Sequence, residues 1–300
     1  MSDSTPKRNK TRPDLATLAG LIVGVGGILC GLVMENGKVA DVMQITAAVI
    51  VIGGTLGAVM VTTPLGLLTA AARKLISVFR ERVQTPREVI DEIVVLADKA
   101  RRGGILSLEA AAEDVGDPFL QKALRLAVDG IALQELRQIM ELEMIMREQR
   151  GEAEAAVYET AGGYAPTIGI IGAVLGLIQV MKHLESIDEV GKGIAMAFVA
   201  TVYGVGLANL ILLPAAAKLK ARVAASTRDW HLMLEGVTGI VEGNNPSLIR
   251  IKLGAFLEPS LTSGSSEAKQ HLVRPIAKQQ AGGRTVGPEP RPVEHSPRGA

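Results

Sequence analysis

The sequence predicts an all-α integral membrane protein: four transmembrane helices, with a cytoplasmic helical domain between the second and the third. Three observations carry that expectation. Hydrophobic residues make up 48% of the 300 and mean hydropathy is +0.28, yet only 3% are aromatic. Soluble cores normally draw on Phe, Tyr and Trp, whereas a bundle facing lipid can join its helices through small residues. Four apolar runs are each long enough to cross about 30 Å of hydrocarbon, which takes about 20 helical residues. The stretches between and after them carry charge and helix-start signals.

Residues 1–13 are a polar, basic tail carrying Lys7, Arg8, Lys10 and Arg12. The first run, LATLAGLIVGVGGILCGLVM, follows at 15–34. It is longer than a signal-peptide core and no A-x-A cleavage site follows, so it reads as a span. The bulky Leu29 before Cys30 argues against lipidation there. The second run, QITAAVIVIGGTLGAVMVTT, lies at about 44–63, so that 14–72 holds the first helical pair. Residues 73–161 read as several helices. Thr85-Pro86-Arg87-Glu88 is a capping box with proline at the first helical position. The helix it opens stops at Gly103-Gly104, a second begins after Ser107, and Asp117-Pro118 starts a third that ends near Gly130. A long helix runs from about 133 into the third span. The second pair occupies 162–216, and 217–260 continues helically out of the fourth span. From Leu261 to Ala300 bulky apolar residues thin out while Pro, Gly, Ser and charge dominate, as in a disordered tail.

Orientation follows the basic residues. The amino-terminal tail, residues 73–161 and the segment with Lys218, Lys220, Arg222 and Arg228 are rich in Lys and Arg, whatever their acidic content. The links 35–43 and 182–192 are not, with Lys38, Lys182 and Lys192 set against Glu35, Asp41, Glu185, Asp188 and Glu189. Both termini are therefore expected in the cytoplasm.

Several function classes find no residues to stand on. Net charge is +1, which gives nucleic-acid binding no support. One cysteine excludes an internal disulfide, and the four histidines, His183, His231, His271 and His295, are scattered. No phosphate-cradling loop, catalytic triad or paired carboxylate is readable, so the expectation is no enzyme, no metal and no cofactor.

Small residues recur at helical spacing. Gly20, Gly24, Gly27 and Gly31 do so in the first run, and Gly53 and Gly57 in the second; both stripes are expected to pack within one monomer. In the third run Pro166, Gly169, Ala173 and Gly176 share a face, and in the fourth Gly193, Ala197, Thr201, Gly204 and Ala208 do. At about 1.5 Å per residue, Ala173 and Thr201 are level, each roughly 12 Å in from the outer side. Pro166 and Pro214 both lie toward the cytoplasmic end. A membrane proline can be a mere kink and a lone Thr commonly bonds its own backbone, so a pore role and a packing role both stand on this evidence. No Asp, Glu, Lys, Arg or His falls inside any span. Ion transfer through a bilayer normally needs a titratable group, so a conducting protein of this kind must borrow one from a partner.

GGYAPTIGIIGAVLGLIQVMKHL and GKGIAMAFVATVYGVGLANLILLPAAAKL resemble the third and fourth membrane helices of the flagellar motor stator A subunit family (MotA/PomA). The likeness extends over most of 14–260, including DKARRGGILSLEAAAE and EGNNPSLIRIKLGAFLEP. It implies an inner-membrane complex of five A subunits around two B subunits, whose single membrane helix supplies the missing carboxylate. It implies ion-path or coupling roles for Pro166 and Pro214, and for Thr201 and Tyr203 within the Ala-Thr-x-Tyr-Gly run. Sodium-driven members tend to carry a second threonine where Ala173 stands here; alanine offers sodium no oxygen ligand, so a proton-driven stator is expected. Arg101 and Glu109 match the charged pair that engages the rotor protein FliG, although each sign also suits its helix end. The TolQ/ExbB energy transducers of the same superfamily have three spans, with the insertion after the first. Such a transducer, or a membrane scaffold that conducts nothing, are the alternatives; the partner each chain keeps distinguishes them.

Overall fold

The computed structural model describes residues 11–78, 80–82 and 85–257. The expected tail at 261–300 and the first ten residues, with Lys7, Arg8 and Lys10, lie outside them. Among the described residues four helices are long and apolar enough to cross a membrane: Leu15–Met34, Ile45–Thr62, Leu133–Lys182 and Ile187–Val241. The helical expectation holds with one departure, an antiparallel ladder pairing Thr11–Pro13 with Arg80–Arg82.

Local chemistry sets the helix boundaries. The carboxylate of Asp14 accepts the Thr17 N–H at 3.1 Å and caps the first span. That span ends where Asn36 takes a positive φ of 61°. Gly37 follows in a reversal so tight that a Cβ there would sit 2.6 Å from the Leu32 side chain. A short helix, Val39–Val42, crosses the link. The second span contains a π-helical stretch at Val49–Gly53 and stops after Thr62. Thr63 is extended (φ −124°, ψ 130°), the conformation that Pro64 imposes on its predecessor. A further helix, Leu65–Val78, comes next.

The extramembrane helices start where the sequence marks them. Thr85 and Glu88 form the reciprocal capping box, with N···O distances of 3.4 and 3.0 Å, and open Pro86–Gly103. Gly104, at φ 75°, turns the chain into a 3₁₀ turn at Ile105–Leu108 ahead of helix Glu109–Asp114. Asp117 accepts from the Phe119 N–H at 2.8 Å and starts Pro118–Val128. These helices share one core with both ends of the later chain: Ile93, Leu108, Phe119 and Leu124 pack with Leu136 and Met140 from the third-span helix, and with Leu232 and Leu253 from beyond the fourth. Phe119 and Trp230 stack at 5.9 Å, with the Arg147 guanidinium 5.5 Å from the Trp230 ring.

The 50 residues of Leu133–Lys182 therefore run unbroken, over about 75 Å, from that core into the third span. The fourth span returns antiparallel beside it. Their contact is backbone against backbone. A Cβ on Gly204 would lie 2.6 Å from the Ala165 carbonyl oxygen, and one on Gly176 would lie 2.8 Å from both the Ala197 nitrogen and the Gly193 oxygen.

The expectation that the first two spans spend their glycine stripes within one monomer is not met. A Cβ on Gly20, Gly27 or Gly31 meets nothing within 4 Å; only Gly24 approaches the fourth span, at Leu210, 3.3 Å. Gly53 and Gly57 also face open space, while their neighbour Gly54 lies against Ile168, 2.7 Å from where its Cβ would be. Helical spacing says which residues share a face, but only tertiary packing says which face turns inward.

Gly204→Ala should lower the detergent-solubilised melting point, an overpacking cost of about 1–3 kcal/mol. Gly57→Ala, where a Cβ meets nothing, should leave it unchanged or raise it, by up to about 1 kcal/mol of helix propensity. Equal melting points for the two variants would contradict the close approach seen here.

Candidate functional site

The third and fourth spans meet along Gly169, Gly172 and Gly176 on one helix and Gly193, Ala197, Ala200 and Gly204 on the other. All seven are buried. Pro166, Ala173 and Thr201 are only half-buried, so each stands at the margin of the contact and not in its centre. The sequence stripes thus divide: their glycines make the contact, and the residues with a functional expectation flank it. Since Gly172 lies against Ala200, Ala173 and Thr201, one residue further along each antiparallel helix, fall at nearly the same depth.

The Thr201 hydroxyl donates to the Ala197 carbonyl at 3.1 Å. That bond uses its one proton and leaves oxygen lone pairs over. Pro166 has no N–H for the carbonyl of Gly162, four residues earlier, which weakens the helix there. Pro214 is exposed and does the same to Leu210, and the π-helical stretch Leu207–Leu212 sits immediately before it. Tyr203 goes elsewhere. Its hydroxyl donates to the Val42 carbonyl at 2.7 Å and accepts from the Gln44 N–H at 3.4 Å, pinning the entry to the second span.

Arg101 and Glu109 are far along the chain from this hairpin, on the extramembrane core. Arg101 lies in the last turn of Pro86–Gly103 and Glu109 in the first turn of Glu109–Asp114. Both are exposed, and neither makes an ion pair among the described residues. Arg102, by contrast, pairs with Asp98 at 2.6 Å. The Ser107 hydroxyl, bonded to the carbonyls of Gly104 at 2.6 Å and Lys99 at 3.2 Å, fixes the turn between them.

Sequence reasoning passed over the polar groups at the membrane's edge. Asp14 accepts hydrogen bonds from the Lys218 ammonium and pairs with Arg222 at 3.4 Å, while Lys218 also reaches the Thr17 hydroxyl. The Lys218 hydrogen bond, with help from the Thr17 N–H, holds the Asp14 carboxyl down at about 2. Glu154 is 5% exposed and pairs with Lys74 at 3.3 Å and Arg150 at 3.4 Å. Thr55, also 5% exposed, has a buried hydroxyl without a hydrogen-bond partner among the described residues. An aspartate directly before an apolar run is a helix-cap signal that could have drawn attention to Asp14, whereas a partner 204 positions away leaves no local signal. Among the described residues no group of three His, Cys, Asp or Glu could hold a metal.

The arrangement defines a class: a multi-pass helical membrane protein whose spans carry no Asp, Glu, Lys, Arg or His and whose last two are fused through glycine. Two family descriptions match it, the MotA/TolQ/ExbB proton channel family over residues 111–231 and the motility protein A N-terminal region over 18–104. Motility protein A of Bacillus subtilis (strain 168) is 36% identical over 249 residues, covering 81% of this chain and 91% of that protein. Chemotaxis protein PomA of Vibrio alginolyticus is 31% identical over 81% of this chain and 95% of its own. Among solved structures, C. jejuni MotAB superposes with a TM-score of 0.78 at 31% identity, over 82% of this chain and 97% of that one. The flagellar MotAB stator complex from Bacillus subtilis gives 0.76 at 36%, over 82% and 96%. The chain belongs to the MotA/TolQ/ExbB proton channel family.

Asp14 has a folded pKa below its ordinary 3.8. Its contribution to stability is therefore complete above that value and is lost as pH falls through it toward about 2. Asp14→Asn should melt below the wild type at neutral pH, and the two curves should converge as pH falls from about 4 to about 2. Parallel curves over that range would remove the clasp from the account.

Proposed function

We infer that this chain is the A subunit of a flagellar motor stator. A B-type partner with one membrane helix brings the aspartate that the four spans lack, and ion flow past it drives rotation against the rotor. One observation carries this reading. The uncharged third and fourth spans are locked together by glycine, while Pro166, Ala173 and Thr201 are left half-buried at the margin, where another helix can lie beside them. The related assemblies are MotAB complexes, which supports a partner of the same kind here. The same likeness supports a ring of five A subunits around two B subunits.

The residues take the following roles. Pro166 and Pro214 interrupt the backbone bonding of the third- and fourth-span helices and let these bend as the ion passes. Thr201 presents an oxygen to the path, and Tyr203 fixes the second span against the fourth. Ala173 supplies no oxygen at the level of Thr201, and a sodium ion stripped of water needs several, so the coupling ion is the proton. Each charge moved yields about 2.3 kcal/mol per 100 mV. The Lys- and Arg-rich flanks support both termini lying in the cytoplasm, and the likeness to motility proteins supports the bacterial inner membrane. Arg101 and Glu109, exposed and without ion pairs of their own, face FliG.

In a host lacking its own stator, the chain and its B partner should restore swimming at a speed that follows the proton gradient. Speed that rose with sodium at a fixed proton gradient would refute the proton assignment. Arg101→Glu should cut swimming about tenfold or more, with unchanged membrane assembly, as for loss of a paired interfacial charge. Loss of assembly in step with motility would make Arg101 a local stabiliser instead.

A further inference from the structure

Glu154 is a buried carboxylate for which the ion path has no use. It lies on the third-span helix 12 residues before Pro166, about 18 Å along the axis and about 120° around it. It therefore faces away from the Pro166 and Ala173 side. Its cations are Lys74, on helix Leu65–Val78, and Arg150, one turn back on its own helix. One turn ahead, the Tyr158 hydroxyl donates to the Ala71 carbonyl at 2.7 Å, on the same neighbouring helix, and this contact is buried. Glu159, on another side of the third-span helix, pairs with Lys220 of the fourth at 2.7 Å. Below these contacts Gly151 packs against Val223. Removing a carboxylate from water is costly unless it is paired and bonded, so a Glu at this position has a use that a leucine would not serve.

We propose that Glu154 and Tyr158 are positioning residues that brace the third-span helix on helix Leu65–Val78, so that displacement at the ion path reaches the rotor-facing domain instead of being absorbed at Pro166. This rests on the stator reading above. The 50-residue helix is a covalent rod joining the glycine contact in the membrane to Leu136, Met140 and Met144 in the extramembrane core, and the fourth-span helix Ile187–Val241 is a second, reaching Leu232 and Val237 of that core. Pro166 is the weak point of the first, because the missing N–H leaves the Gly162 carbonyl without its helical bond. A rod with such a joint transmits force only if the segment beyond the joint is held laterally. The contacts of Glu154, Tyr158 and Glu159 supply that hold on two sides, within four turns of the proline.

A brace and a proton relay make different demands on load. A brace matters when the rotor resists and the rod is stressed; a relay sets how fast ions pass, which limits the unloaded motor. Glu154→Gln and Tyr158→Phe are measured with beads of large and small drag in cells carrying the B partner, counting recruited units by stepwise torque. For both variants we expect torque per unit at high load to fall about twofold or more, a usual size for a coupling loss, with unit number and low-load speed unchanged. Full high-load torque in Tyr158→Phe overturns the brace, as does a proportional fall in low-load speed in Glu154→Gln, which would make Glu154 part of the ion path. If Glu154→Gln fails to reach the membrane, Tyr158→Phe decides alone, since it deletes one oxygen and no charge. If the wild-type chain drives no rotation, the stator reading falls and the brace with it. A wild type that rotates beside two variants of full high-load torque sinks the brace only.

Discussion

The structure depends on one contact: the backbone of the third span lying directly on the backbone of the fourth. It requires that no Cβ exist at Gly169, Gly176, Gly193 or Gly204, where the opposing atoms are backbone atoms of the facing helix, joined at Gly193 by a Val180 methyl. In lipid there is no hydrophobic gain from bringing two helices together, so close van der Waals packing has to supply the affinity, and small residues permit it. Once this seam is closed, depth and azimuth along both helices are fixed. Ala173 and Thr201 come level, Pro166 is carried to the margin, and Tyr203 is turned toward the second span, where its hydroxyl holds Val42 and Gln44.

Charge is arranged around that seam by exclusion. Aspartates, glutamates, lysines and arginines are absent from the spans and gather where the helices leave them. Asp14 meets Lys218 and Arg222, Glu154 meets Lys74 and Arg150, and Glu159 meets Lys220. Each pair joins different helices, apart from the one-turn Arg150–Glu154 bond, so together they tie the first span, the helix after the second, and the third and fourth. The exposed members add little stability individually. Their more definite effect is registry: a helix cannot slide by one turn past its neighbour without separating several opposite charges at once.

Much of this was legible because it is local. A span announces itself by twenty apolar residues, and Thr85 to Glu88 or Asp117-Pro118 announce a helix start through side chains that reach only three positions. The continuous passage from residue 133 into the third span was legible for the same reason. What escaped was non-local. The inward-facing glycine of the second span is Gly54, not Gly53 or Gly57, and the difference depends on where Ile168 stands. The ladder between Thr11–Pro13 and Arg80–Arg82 joins segments without strand character, so no periodicity foretold it. Nothing in the sequence marks Glu154 out from the other charges of a long helix, because its burial depends on helix Leu65–Val78 packing beside it. At the candidate site the levels of Ala173 and Thr201 followed from rise per residue, whereas the partners of Tyr203 belonged to a link 160 positions earlier in the chain.

The first span shows why one copy of this chain is not a finished unit. It has no buried residue, and four of its five glycines face open space. Lipid would cover such a helix, but lipid does not explain glycine there, which costs about 1 kcal/mol relative to alanine in a helix interior. A glycine stripe compensates for that cost where another backbone comes close, as Gly204 does against Ala165. The margin holding Pro166, Ala173 and Thr201 is open in the same sense: it has the Thr201 hydroxyl oxygen and the Gly162 carbonyl that Pro166 leaves without its helical bond, but no acid. Uncharged spans and glycines without a neighbour belong together: this membrane surface is shaped to be completed by other helices.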